Sequence, residues 1–461
     1  MQLRIPFVVS MDEEDLQAIV EDVSFLIDHH DEAKLRNLLV DMHPADIAYV
    51  LAELPDEKRR YLFSLLDAER ASDVLVELDD FTREKLLEEL DPGRISEIVD
   101  EMDSDDAADV VSELPDEVAE EVLESIDEED SEEVRELLRH EEDTAGGLMA
   151  LEYVAVNENA TVGEAIQEIR RKAEEVGEAF HVYVVDDDGH LVGVLPLKRL
   201  ILSDEKTRVK DIMDHDVVKV DVETDQEEVA RVFQRYNLVA LPVVDWKGRL
   251  VGQITVDDVI DILEEEATED IHRLAGVPEE EEPRETSVFR ISRGRLPWLA
   301  FAFFGELGSA LVLSHFQASI SQILAVSFFI PIIMALGGAS GNQIATVVVR
   351  GLATGEISRG EIGRKVWREL KVALVNGFFC GAAIFVVVNV WLKDPQLGAV
   401  IAVAMVAVIF ASGLIGTLVP ILLHRLGYDP AYATAPFIAT SNDVLGLTIY
   451  LLLVTKLLKI G

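Results

Sequence analysis

In the N-terminal region apolar residues return every twelve positions: Met42, Leu54, Leu66, Leu78, Leu90, Met102, Leu114, Ile126 and Leu138. Most are followed at once by a helix-starting Pro or Asp (Pro55, Asp67, Asp79, Asp91, Asp103, Pro115, Asp127), which predicts one short helix and a turn per unit. Such units stack into a solenoid-like superhelix. Between Leu148 and Glu266 the pattern changes to two copies of strand, helix, strand, turn, strand and closing helix, with the turns at DDDG and DWKG. From Arg295 onward five apolar runs follow, roughly 296–316, 321–349, 370–392, 398–423 and 433–458. Each is long enough to cross a bilayer of about 30 Å. The expected architecture is a multidomain membrane protein. It comprises an acidic helical-repeat domain at 1–143, α/β repeats at 144–206 and 207–258, a connecting helix at 259–276, a linker at 277–294, and an all-α transmembrane domain of five helices at 295–461.

Charge follows the same division. The chain carries 40 Lys plus Arg and 88 Asp plus Glu, of which residues from Leu296 on hold 10 and 7, leaving 30 and 81, a net of −51, for residues 1–295. Excess carboxylate excludes nucleic acid as the expected partner, because phosphate contacts need Lys and Arg. The single cysteine, Cys380, excludes a disulfide scaffold and a cysteine-ligated zinc site. No long apolar run opens the chain, so a cleaved secretory signal is not expected and the acidic part is placed in the cytosol. Arg290, Arg293 and Arg295 before the first run, and Arg350, Arg359, Arg364, Lys365, Arg368 and Lys371 between the second and third, put those flanks on the cytosolic side. Five crossings of the cell (plasma or inner) membrane then leave the C-terminus outside.

Two runs carry more polarity than a lipid anchor needs. The second contains Pro331 and GGASGNQ (Gly337–Gln343), read as an interruption that frees backbone groups at membrane depth. The fifth holds Asp443 after Thr440, Ser441 and Asn442. A carboxylate there costs about 2.5–3.5 kcal/mol on insertion scales, so an ion pathway is the default reading. Glu306 in the first run is open to two readings, a pore group or a side chain that snorkels or pairs with an Arg. Gly413 and Gly416 in the fourth run fit close helix packing.

In the α/β repeats, Met149 aligns with Met213, Gly189 with Gly248 and Gly193 with Gly252. The tandem resembles a pair of CBS domains, a regulatory module that often binds adenine nucleotides. Gly252, Thr255 and Asp258 resemble that family's ribose-phosphate motif. A turn at Gly252 and a helix cap at Asp258 account for the same residues equally well. The first copy has Gly193, Pro196 and Arg199 instead. After the second copy, VDDVIDILEEEATEDIHRLAGV places Ile260, Leu263, Ala267, Ile271 and Leu274 on one helical stripe and fills much of the rest with acids. Like charges so dense repel unless divalent cations bridge them, which points to a metal-dependent gate.

The order of these parts, with EEATEDIHRLAGV, RLPWL, GGASGNQIATVVVRGLATGEI and LGYDPAYATAPFIATSNDVLGLTIY, resembles the MgtE family of magnesium channels over the whole chain. The resemblance implies a homodimer in the lipid bilayer that conducts Mg2+ and is shut by cytosolic Mg2+, with ATP as a further ligand of the CBS pair. It implies Asp443 as the pore ligand, with the backbone at Gly337 and Gly338 shaping the site. It implies regulatory metal at Asp258, Asp261, Glu266, Glu269, Asp270 and Asp429, with Glu227, Asp103 and Asp106 as further contacts. Asn237 and Ala435 stand where an acid and a polar residue are expected. A non-conducting membrane-anchored CBS sensor and a transporter of other divalent cations such as Co2+ or Mn2+ are the competing functions. No pairing of nucleophile and base, and no phosphate loop, points to an enzyme.

Overall fold

The computed structural model describes residues 13–173, 176, 181–275, 277, 288–353, 357, 362–426, 428, 430 and 436–459. The chain divides into two compact units, Met1–Leu263 and Glu264–Gly461.

The first unit opens with ten short helices: α1 (Glu13–Asp28), α2 (Glu32–Asp41), α3 (Pro44–Glu53), α4 (Asp56–Phe63), α5 (Ala68–Val76), α6 (Asp80–Glu89), α7 (Pro92–Val99), α8 (Ser104–Ser112), α9 (Asp116–Leu123) and α10 (Glu128–Leu137). The twelve-residue punctuation is the physical cause. Asp67 and Asp79 cap their helices by accepting from the Arg70 and Thr82 amides, and Pro55 and Pro115 stand at N-caps. The periodic Met42, Leu54, Leu66, Leu78 and Leu114 are buried and Leu90, Met102 and Ile126 pack partly buried against the same core, which pins those turns as they reverse the chain, whereas Leu138 is exposed. Arginines join the repeats through carbonyls at and just past helix ends. Arg36 donates to Leu65 O at 2.8 Å, Arg59 to Leu51 O and Leu54 O at 2.9 and 3.0 Å, Arg70 to Leu39 O at 2.8 Å, and Arg94 to Leu66 O at 2.9 Å.

Each α/β repeat forms a three-stranded sheet with one parallel and one antiparallel pairing. The first contains β1 (Ala155–Asn157), α11 (Val162–Arg171), β2 (His181–Val185), β3 (Leu191–Pro196) and α12 (Leu197–Leu202). The second contains β4 (Val220–Asp221), α13 (Gln226–Tyr236), β5 (Ala240–Val244), β6 (Leu250–Thr255) and α14 (Val256–Ala275). The copies pack crosswise: a Cβ on Gly252 would lie 2.6 Å from Met149 Sδ, and one on Gly193 would collide with Met213. One apolar core runs from Val23 and Leu35 through the helical repeats into Leu241, Ile254 and Val259 of the second copy, and this continuity seats α8 beside the start of α14. The connecting helix expected at 259–276 is not a separate element. It is continuous with the helix that closes the second repeat, because no breaker falls between Val256 and Ala275.

The second unit holds five helices long and apolar enough to cross a membrane among the described residues, spanning Ile291–His315, Leu324–Leu352, Ile362–Leu392, Pro395–Leu426 and Phe437–Leu458. They lie on α15 (Val288–His315), α17 (Ile330–Ala353), α18 (Ile362–Leu392), α19 (Pro395–Leu426) and α20 (Pro436–Leu458), with the short α16 (Gln317–Gln322) after the first. The interruption expected at Gly337–Gln343 is absent: α17 is helical throughout, and Pro331 sits in its first turn, where a missing N–H costs nothing. The small residues serve close packing instead. A Cβ on Gly337 would meet Val408 and Ser412, one on Gly341 would strike the Asn442 amide, and one on Gly416 would strike the Gly341 carbonyl.

Candidate cation sites

Two carboxylate arrangements stand out, one in each unit. The first is built on α8 and the first turn of α14. Sequence SDDAAD starts α8, so Asp105, Asp106 and Asp109 emerge within its first two turns, and TVDD starts α14, so Asp257 and Asp258 do the same there. Asp105 and Asp106 are half-buried and face Asp258, while Asp109 opens to solvent at the rim. Burial, followed by the Asp258 charge, lifts the Asp105 carboxyl well above the usual carboxylate range and the Asp106 carboxyl to about 7. Asp109 rises to about 6 through partial loss of hydration, against the pull of Arg83. Asp103 and Asp258 are raised too, both first by burial; Asp258 is partly held down by the Thr255 hydroxyl and amide. Carboxyls that crowd and lose water in this way, with Arg83 offsetting part of the charge at Asp109, offer the kind of oxygen ligands that a hard cation takes.

Asp258 has a second duty. Its Oδ2 accepts from Thr255 N at 3.0 Å and Thr255 Oγ1 at 2.7 Å, closing the first turn of α14. The cap and the acid cluster therefore share one residue. Gly252 packs against Met149 and Ala150, while in the first copy Arg199 pairs with Asp214 at 2.8 Å.

Of the remaining candidates, Asp261 is exposed on α14, one turn after Asp258. Glu266 and Glu269 lie on the later part of α14, which belongs to the second unit, and Glu269 pairs with Arg273. Glu227 pairs with Arg231 on α13 at 2.5 Å. Asn237 ends that helix at φ 51°, a left-handed position that Asn tolerates. Asp429, Ala435 and the side chain of Asp270 lie outside the described residues. The sequence reading includes Asp103 and Asp106 but not Asp105, Asp109 or Asp257. The signal available was the density of SDDAAD at a helix start. Elsewhere, Asp186, Asp188 and His190 and, separately, Asp100, Asp127 and Asp130 bring carboxylate or imidazole atoms within 4.8 Å of one another. Asp186 already accepts from the Asp188 and His190 amides, both at 2.9 Å, to shape its turn.

The second arrangement is in the membrane unit. Asp443 stands seven residues into α20, and Glu306 of α15 reaches its carboxyl. The helices meet because α15 offers glycines there: a Cβ on Gly305 would collide with Thr440, and one on Gly308 would lie 3.1 Å from Val444. Glu306 therefore meets another acid rather than an arginine, and it is exposed on the surface of the chain inside a membrane span. Beside it Asn442 is 2% exposed. Gly337 is buried against α19 and Gly338 lies half-buried one residue further along the unbroken α17; neither frees a backbone group as the sequence reading required.

Comparison with known proteins covers nearly all of this chain. The MgtE divalent cation transporter family matches residues 330–453, the MgtE intracellular N domain residues 42–143, and the CBS domain residues 145–205 and 209–265. The magnesium transporter MgtE of Thermus thermophilus is 39% identical over 435 residues, 93% of this chain and 96% of the relative. That of Bacillus subtilis is 33% identical over 415 residues, 90% and 92% of the two chains. Among solved structures, the cytosolic domain of the Mg2+ channel MgtE in complex with ATP has 41% identity and a TM-score of 0.51, covering 53% of this chain and 99% of that one. The soluble part of a magnesium transporter has 30% identity and a TM-score of 0.50, covering 55% and 99%. With its helical repeats, paired CBS sheets and five apolar helices in one order along the chain, this protein belongs to the MgtE family of magnesium transporters.

Proposed function

We propose that the membrane unit passes Mg2+ along a path at Asp443, and that the acids of α8 and α14 bind cytosolic Mg2+ and favour closure. The observation that carries the reading is Asp443 with Glu306 against it inside membrane-spanning helices, where a structural role alone repays no such cost. Mg2+ gives up water reluctantly and is held through retained waters by one or two carboxylates, so a single Asp per subunit, doubled in a two-fold homodimer, suits a largely hydrated ion. The exposure of Glu306 at membrane depth supports a partner subunit over that face. The N-terminal domains lie in the cytosol and the C-terminus outside, in keeping with the arginines at 290, 293 and 295.

The regulatory part rests on Asp105, Asp106 and Asp258. Mg2+ bound there neutralises a repulsion that otherwise drives α8 and α14 apart, with Asp103, Asp109 and Asp261 at the rim. Glu266, Glu269, Asp270, Asp429 and Glu227 complete the set of regulatory acids in this reading. ATP at the CBS pair, through Gly252, Thr255 and Asp258, is its last part, supported by the ATP complex of the similar cytosolic domain. The test is Mg2+ flux into liposomes holding the full chain, with Mg2+ varied on the face that carries the soluble domains. Uptake that falls as that Mg2+ rises is expected; uptake indifferent to it removes the regulatory part, and no uptake removes the whole reading.

A further inference from the structure

Asp103 occupies the N-cap of α8 with suitable backbone angles (φ −65°, ψ 156°), yet its side chain makes no capping bond. A residue 48 positions from Ser104 takes its place. The Glu152 carboxylate accepts from Ser104 N at 3.1 Å through Oε1 and from Ser104 Oγ at 2.8 Å through Oε2, and Ser104 Oγ accepts in turn from Leu151 N at 2.9 Å. Ser104 is 4% exposed, so these bonds form away from water. Displaced from capping, the Asp103 carboxylate is turned to the acids, where burial, then Glu152 and Asp257, raise its pKa.

The same segment is tied to the other half of the cluster. Ala150 exchanges backbone bonds with Gln253 of β6 at 2.8 and 3.0 Å, and Gln253 Nε2 donates to Glu152 O at 2.8 Å. Gln253 Oε1 accepts from the hydroxyl of Tyr183, a fully buried residue of the first repeat, at 3.0 Å. Gln253 lies two residues before Thr255 and five before Asp258. One short segment thus holds α8 by its first turn and β6 by its edge, and both α/β repeats meet on it.

The geometry points to Glu152 as a positioning residue that sets the spacing between the acids of α8 and Asp258, and so tunes the affinity of that cluster for Mg2+. This rests on the reading of the cluster as a cation site. Both Glu152 oxygens are engaged by Ser104, so the residue holds the start of α8 in place, and its charge bears on Asp103 and Asp105 besides. Its main effect is a matter of acceptor geometry, and an amide in the same place keeps one of the two acceptors, that for the Ser104 amide.

The experiment measures the Mg2+ midpoint for protection of the full-length protein against limited proteolysis, together with amide exchange in the first turn of α8 without metal. Glu152→Ala is expected to raise the midpoint about tenfold, the scale of a lost charge-assisted bond pair, and to speed exchange at Ser104–Asp106. Glu152→Gln is expected to stay within about threefold of the parent on both readouts, and Ser104→Ala to fall between them, keeping the test open if Glu152→Ala misfolds. If Glu152→Gln raises the midpoint as much as Glu152→Ala while exchange stays slow, Glu152 acts by charge and the inference is overturned. It is overturned alone if Asp258→Asn weakens Mg2+ protection and no Glu152 or Ser104 variant changes it. Absence of Mg2+ protection in the parent overturns the cation-site reading beneath it.

Discussion

The first unit and the membrane unit use the same chemical group in opposite ways. On α8 and α14 several carboxylates crowd at a half-buried junction, where burial and one another's charge hold their protons above the usual carboxylate range. On α15 and α20 two carboxyls stand in an otherwise apolar environment of nearly balanced charge. A crowd of acids gives a response that can be graded by losing one member, whereas a pair has no redundancy. The contrast teaches that net charge alone does not locate function: residues 1–295 hold the net −51, whereas the costliest carboxylate lies in the nearly neutral stretch after them.

The largest expected effect breaks the pair. Asp443→Ala lowers Mg2+ uptake in proteoliposomes to the level of empty vesicles while the protein elutes and melts as the parent does; retained uptake would place the path elsewhere. Next comes the crowd. Asp105→Asn with Asp258→Asn raises the Mg2+ needed for half-inhibition of flux about tenfold or more, equivalent to ~1.4 kcal/mol. It also raises the metal-free melting temperature, since repulsion is relieved while the amide oxygen introduced at position 258 still caps α14. A double variant that lowered both would show that these acids support the fold rather than the sensor.

A smaller effect comes from pH. Because the Asp106 carboxyl is raised from 3.8 to about 7, the folded metal-free unit holds this proton more tightly than the unfolded chain. Its contribution therefore opposes stability increasingly as pH rises from about 4 to about 7, and Mg2+ removes that cost only where the carboxylates are ionised. The rise in melting temperature produced by Mg2+ should thus be several-fold larger at pH 8 than at pH 5.5, measured calorimetrically; a larger rise at pH 5.5 contradicts the assignment. The smallest effect is local and touches neither site: Asp67→Ala removes the cap of α5 and costs about 1 kcal/mol in denaturant unfolding with Mg2+ flux unchanged.

Local chemistry made much of this legible from sequence. The helical repeats announce themselves because capping and turn formation act over three or four residues, and the α/β repeats because their turns and alternation recur. The acid junction was only half legible: Asp105 gains its meaning from Asp258, about 150 residues away, and a helix-start cluster looks the same whether it meets water or another acid. The straightness of α17 was hidden for a different reason. Gly, Ser and Asn weaken a helix in water but permit close contact between helices in a bilayer, and the sequence does not say which solvent its glycines face until Gly341 is seen against Asn442 and Gly416.

The arginines of the helical repeats bear on how such an acidic domain keeps its shape when salt varies. Ions screen charge over about 10 Å at 0.1 M, so the mutual repulsion of the surface carboxylates fades as salt rises. The bonds from Arg36, Arg59, Arg70 and Arg94 to backbone carbonyls are short, partly buried and directional, and depend far less on the ionic atmosphere. Exchanging one of these for lysine leaves the electrostatic field nearly as it was and removes a planar, many-donor fork that a single ammonium cannot imitate. Colloidal charge and mechanical cohesion are thus carried by different properties of the same side chain, and the domain's surface can drift in composition while the fork geometry that clamps one helix to the next is kept.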